Sequence, residues 1–120
     1  MNLVSPYLDA INIDLKSFKD KFYQKTCGAR LKHVLNNIRE IHKRGIWLEL
    51  TTLVIPNEND STEELHDIAN FIAQIDKDIP WHISRFFPAY KMDDAANTPM
   101  ETLYQAYDIG KEHGLSYVYI

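Results

Sequence analysis

The chain has 120 residues, 45% of them hydrophobic and 25% charged, and a formal charge of −4 from 17 acids against 13 bases. That is material for one modest domain over 1–120, and the acidic balance without a clustered basic stripe argues against nucleic acid as a partner. No run approaches the roughly 18 apolar residues of a membrane span, "MNLVSPYLD" lacks the build of a signal peptide, and one cysteine, Cys27, excludes an internal disulfide, so a reduced, cytoplasmic setting is expected.

The first element is a short apolar run, Ala10, Ile11 and Ile13, that reads as a buried strand over 10–14 and delivers Asp14 and Lys16 to its end. In "ARLKHVLNNIREIHKRG", Leu31, Val34, Leu35, Ile38 and Ile41 fall at helical spacing and make one apolar stripe. Lys43 and Arg44 suit the last turn of that helix, and Gly45 supplies its stop. "IWLELTTLVI", ended by Pro56, predicts a strand over about 46–54.

Ser61 with Glu64 has capping-box spacing, and Leu65, Ile68, Ala69 and Ile72 mark a second amphipathic helix. Pro80 precedes a third strand, "WHISRF", and the long loop "FPAYKMDDAAN" follows it. Thr98, Pro99 and Glu101 predict the cap, first position and capping-box acid of a third helix, with Leu103, Ala106 and Tyr107 facing inward. Gly114 ends it, and "SYVYI" reads as a fourth strand.

The order βαβαβαβ implies parallel strands joined by crossovers, buried on both faces. Ligands of such proteins gather at the C-terminal ends of the strands. There the sequence places Asp14 and Lys16, Thr51 and Thr52, Ser84 and Arg85, and the loop with Tyr90 and Lys91. Long loops on this edge and short returns on the other belong to a (β/α) barrel. Four strands cannot close one, because a parallel barrel needs about eight, or six in a partial barrel. The expected fold is therefore an α/β parallel half-barrel: a piece of a longer protein, or a chain that self-associates through its exposed strand edges.

Each candidate residue has a structural and a functional reading. Asp14 and Lys16 share one face of a strand and either hold the polar end of a ligand or form an ion pair. Glu49 inside "WLELTTLV" needs a partner, for which Arg85 or Lys16 is available, or else it binds a ligand. Cys27 has no base or resolving cysteine nearby and reads as a packed thiol. The five histidines show no metal spacing; His33, His42, His66 and His113 are expected in solvent on helices, and His82 alternates with Ser84 on the third strand. "PNENDSTEE" lacks the glycine and ligand order of a calcium loop. No Walker or GxGxxG motif is present.

Five blocks in order, "YLDAINIDLKSF", "YQKTCGARLKHVLNNI", "TTLVIPNENDSTEEL", "IPWHISRFFPAYKM" and "TPMETLYQAYDIGKEHGLSYVYI", resemble the C-terminal half of a radical S-adenosylmethionine (SAM) enzyme. The resemblance is to the AmmeMemoRadiSam system type, related to pyruvate formate-lyase-activating enzymes. It implies a partial (β/α)6 barrel holding S-adenosylmethionine and a 4Fe–4S cluster, in which reductive cleavage of the former yields a 5′-deoxyadenosyl radical for hydrogen abstraction.

By the same resemblance, Asp14 and Lys16 match the "DLK" motif that lines the cofactor site, and Asn12 stands where that family forms a cation site. Tyr90 occupies the place of a cofactor-contacting histidine, and Thr51 that of an arginine; both departures count against the pyruvate formate-lyase substrate. Asp14, Lys16, Thr51, Ser84 and Tyr90 are thus the candidate cofactor residues. The family binds its cluster through CxxxCxxC, three thiolates leaving one iron open. With one cysteine, this chain is expected to ligate no cluster and to be inactive alone, its partner being an N-terminal half of the barrel. The rival readings are a glycyl-radical-enzyme activase and a non-catalytic α/β scaffold or interaction module.

Overall fold

The computed structural model describes residues 10–15, 31–87 and 97–120. They form β1 (Ala10–Asp14), α1 (Leu31–Lys43), β2 (Trp47–Val54), α2 (Thr62–Ile75), β3 (Trp81–Arg85), α3 (Met100–Glu112) and β4 (Val118–Tyr119). The strands make one sheet in the order β1-β2-β3-β4, every pair parallel. This is the α/β half-barrel expected of the sequence.

Side-chain alternation decides what each face of the sheet meets. Leu48, Leu50, Thr52 and Val54 of β2 are buried, as are Trp81 and Ile83 of β3 and Val118 of β4. These residues meet the apolar stripes of the helices: Ile38 of α1, with Val34, Leu35 and Ile41 partly buried; Leu65, Ile68, Ala69 and Ile72 of α2; Leu103, Ala106 and Ile109 of α3. Burial of each such aliphatic side chain contributes about 1.5–3 kcal/mol, so the helix-covered face holds most of the fold's stabilisation. Gly110 lets α3 press onto the sheet, since a Cβ there would lie 2.9 Å from Val118 Cγ2 and 3.2 Å from the Trp81 ring.

The other face is uncovered by any described helix. Register runs Asp14 to Thr51, Thr51 to His82 and His82 to Tyr119, so these four residues form one rung across the sheet. The last residue of β1 thus lies level with the second residue of β3 and of β4. This progressive stagger is the shear by which a parallel sheet curls toward a barrel.

Helix ends follow the sequence signals with one correction. Gly45 (φ 76°) stops α1 and Gly114 (φ 86°) follows α3, both in the left-handed region that favours glycine. The Ser61 hydroxyl accepts a hydrogen bond from the Glu64 amide at 3.2 Å and caps α2. Thr98, however, does not cap α3; Pro99 holds that position without a side-chain bond. The Thr98 hydroxyl instead donates to the Val54 carbonyl and accepts from the Phe86 amide at 2.9 Å. Thr98 is fully buried, so its hydroxyl serves backbone groups that water cannot reach, whereas the first turn of α3 is exposed to water.

One buried polar chain ties three strands together. The Trp81 indole N–H donates to the Thr52 hydroxyl at 3.0 Å, and that hydroxyl donates to the Leu15 carbonyl at 2.8 Å. Thr52, Trp81 and Leu15 are all fully buried. Thr52→Val keeps the shape and strands both partners, which costs about 1–3 kcal/mol per unsatisfied group. Urea unfolding is expected to show a loss of about 2 kcal/mol; an unchanged midpoint would show the relay to be dispensable.

Candidate functional site

The uncovered face is polar where a barrel interior would be. Asn12 and Asp14 are exposed on it, and Glu49, Thr51, His82 and Ser84 are half-buried. Adjacent strands stand about 4.8 Å apart, so the rung from Asp14 to Tyr119 crosses about 14 Å. Each residue reaches this face because its strand neighbours, Ile13, Leu50, Ile83 and Val118, pack toward the helices.

Thr51 donates its hydroxyl to Asn12 Oδ1 at 2.8 Å, joining β1 to β2 two residues before Asp14. Asp14 is the register partner of Thr51, so the two residues are neighbours across β1 and β2 on this face. Ser84 lies two register positions above that rung, paired with Leu53. Asp14, Thr51 and Ser84 therefore share a face, but the stagger sets Ser84 higher than a common strand-end edge implies. Lys16 and Tyr90, the other two candidates, lie outside the described residues, as do Cys27 and Lys91.

Among the described residues, Glu49 finds a partner other than Arg85, and Lys16 lies outside them. Glu49 Oε1 pairs with His82 Nε2, and its Oε2 accepts the Trp47 indole N–H at 3.0 Å. A carboxylate only accepts, so His82 carries a proton on Nε2. The hydrogen bond from His82, then that from Trp47, holds the Glu49 carboxyl below its ordinary value of 4.5. His82 also stacks on Tyr119, ring centres 5.1 Å apart. Arg85 turns the other way: its Nε donates to the Thr98 carbonyl at 2.6 Å and its guanidinium lies 4.7 Å over the Phe87 ring. As the last residue of β3, Arg85 reaches the neighbouring loop more easily than the far end of β2.

Three of the histidines expected in solvent are paired while remaining partly exposed. His42 Nε2 lies 3.1 Å from Asp76 Oδ2, and His66 Nδ1 lies 3.0 Å from His113 Nε2. One ring of the second pair accepts through a lone pair and is neutral. These contacts span 34 and 47 residues, so no local spacing announces them. Among the described residues, no group of three or more His, Cys, Asp or Glu is placed to hold a metal ion.

The sequence profile of the Radical SAM superfamily matches residues 2–72, more than half of the chain. The chain belongs to the radical SAM superfamily. This radical SAM chain is 45% identical over 114 residues to an uncharacterized protein of Methanocaldococcus jannaschii, a match covering 94% of the chain and 34% of that protein. It is 27% identical over 81 residues to the isethionate sulfite-lyase activating enzyme of Oleidesulfovibrio alaskensis, covering 63% of the chain and 26% of the enzyme. The chain thus spans about a third of the length of the first relative and about a quarter of the second.

Its fold matches the crystal structure of a domain of a pyruvate-formate lyase-activating enzyme from Bacteroides vulgatus, with a TM-score of 0.81 at 20% identity, over 98% of this chain and 70% of that one. The radical SAM partial-barrel fold read from the sequence is therefore the fold observed. Trp47 and Tyr119 also line the open face, and no motif marks either of them. The signal available for Trp47 was its two-residue spacing from Glu49; Tyr119 reaches the face only through the register of β4.

Asp76 resembles Glu49: hydrogen bonds from the Asp78 amide, then from His42, hold its carboxyl below the ordinary 3.8. Both groups bind a proton less readily folded than unfolded. Each therefore contributes stability that is present above the unfolded value and lost as pH falls through the lowered folded one. Urea midpoints measured from pH 7 down to pH 3 are expected to fall on the acid side, and to fall less steeply in Glu49→Gln and Asp76→Asn. An acid limb identical to that of the parent in both variants would contradict this assignment.

Proposed function

We propose that this chain forms part of the cofactor and substrate wall of a radical SAM enzyme, as the C-terminal portion of its barrel. The supporting observation is that Asp14 and Thr51 are register partners, with the Thr51 hydroxyl bonded to Asn12, on a sheet face that no described helix covers. An exposed carboxylate at the end of β1 accepts hydrogen bonds from an ammonium or from ribose hydroxyls, and the Thr51 and Ser84 hydroxyls add donors and acceptors along the same face. That donor set suits a cationic, polyhydroxylated ligand such as S-adenosylmethionine. Lys16 and Tyr90 complete the wall by resemblance, the lysine meeting a carboxylate.

The cluster is a different matter. A 4Fe–4S cluster that keeps one iron open needs three thiolates, and the chain has one cysteine. The residues present do not fit it, and its ligands belong to the part of the enzyme that this chain does not cover. In a complete enzyme that held both groups, the chemistry they would supply is a 5′-deoxyadenosyl radical for hydrogen-atom abstraction. What this chain's own residues do is bind and orient. Activation of a glycyl-radical enzyme is the second reading, favoured by the partial likeness to the isethionate sulfite-lyase activating enzyme.

Calorimetric titration of S-adenosylmethionine into the purified chain is expected to give saturable binding, weakened about tenfold by Asp14→Ala, the loss of one charge-assisted hydrogen bond. Affinity unchanged in that variant removes Asp14 from the wall. The coding DNA upstream of Met1 is expected to encode CxxxCxxC in the same frame, and its absence there would sink the enzyme reading.

A further inference from the structure

Beside the proposed cofactor wall, the same face holds a cavity of about 410 Å³ lined by Trp47, Glu49, Pro80, His82, Tyr117 and Tyr119. Its size falls within the range of small-molecule sites, about 300–1,000 Å³. Three of its walls are aromatic rings left in the open: Trp47 is 48%, Tyr117 44% and Tyr119 49% exposed. One carboxylate, Glu49, stands among them, and no Lys or Arg is among the described lining residues.

We propose that this cavity seats an organic cation, a protonated or methylated amine. Aromatic faces attract a cation through their negative π clouds, by about 0.5–1 kcal/mol each when exposed and more when desolvated. Glu49 supplies the carboxylate. Trp47 and His82 grip one oxygen each, which stops the carboxylate from swinging into solvent and leaves lone pairs for a ligand. His82 is fixed in turn by its stack on Tyr119, so the charge and one wall are positioned together. A neutral ring stacked here would desolvate the carboxylate without replacing its water, a penalty that a cation does not incur.

The cavity adjoins the wall proposed above. Glu49 precedes Thr51 by two residues on the same face of β2, about 7 Å away, and His82 is the register partner of Thr51 on β3. A ligand held by its cationic head at Glu49 would therefore lie next to the cofactor. The role of this ligand as substrate rests on the radical-enzyme reading; its binding does not.

The test uses choline as the probe and its neutral carbon isostere, dimethylbutanol, as the control, read by tryptophan fluorescence with Trp47→Phe to subtract the buried Trp81. Choline is expected to give a saturable change that dimethylbutanol does not reproduce. Glu49→Gln, which retains a side-chain acceptor for His82, is expected to weaken choline about tenfold and to leave S-adenosylmethionine binding intact; Asp14→Ala is expected to do the reverse. Tyr119→Leu removes one wall without touching the carboxylate and is expected to weaken choline as well.

No choline response, equal binding of the isostere, or indifference to Glu49→Gln overturns the proposal. So does competition between choline and S-adenosylmethionine, which would make the cavity the cofactor's own sulfonium seat. A fluorescence change that follows protein concentration rather than choline would mean that a second copy covers the face, and overturns it too. Choline binding without S-adenosylmethionine binding would instead count against the cofactor reading and leave the cation seat standing.

Discussion

The Thr52 hydroxyl is the point on which the arrangement turns. It sits in a strand whose alternate neighbours, Leu50 and Val54, are fully buried, in a position where an aliphatic residue would pack as well. Its value lies in being both donor and acceptor: it takes the Trp81 N–H from β3 and gives its own proton to the carbonyl that follows Asp14. Leu15 is held a second time by its amide, which donates to the Thr51 carbonyl at 2.9 Å. The chain leaving β1 is thereby fixed at two backbone atoms. Without that anchor, the carboxylate of Asp14 would hang from the last residue of an edge strand, where fraying is easiest.

A second latch repeats the idea between β2 and β3 on the same strand-end edge of the sheet. Thr98 is buried where α3 begins, and its hydroxyl joins the carbonyl of Val54 to the amide of Phe86. Asn59 closes the turn between them, donating to the Leu53 carbonyl at 2.9 Å and accepting from the Ile55 amide at 2.7 Å. Three short polar side chains thus satisfy the backbone groups freed where strands stop pairing. In a parallel sheet those strand ends are where ligands gather, so these bonds fix the backbone beside that edge. The division of labour between faces follows: apolar side chains meet the helices, and polar and aromatic ones line the open side.

Much of this was legible in the residue order. The βαβαβαβ series, the apolar stripes of three helices, the Gly45 and Gly114 stops and the Ser61 cap all rest on local spacing and local conformational preference. So does the placement of Asp14, Thr51 and Ser84 on one face, since strand alternation has a period of two. The errors share a cause. Thr98 carried a good cap signal, but the hydroxyl bonds the backbone group whose isolation costs most, and that group belonged to another strand. Arg85 and Glu49 were matched by charge, although charge has long reach and little direction, whereas the His82 ring lies diagonal to Glu49 on the neighbouring strand, within hydrogen-bond reach.

The sequence by itself determined the element order, the parallel topology, the membership of the radical SAM fold and the shortage of thiolates for an iron–sulfur cluster. Each is a property of composition, of short-range periodicity or of motif order. Only the tertiary structure decided the stagger that sets Asp14 level with Thr51, His82 and Tyr119, and the grip of Trp47 and His82 on Glu49. It also decided the histidine pair between α2 and α3. The reason is physical: register between strands is settled by core packing over the whole sheet, so a residue's neighbours across strands are invisible to any window along the chain.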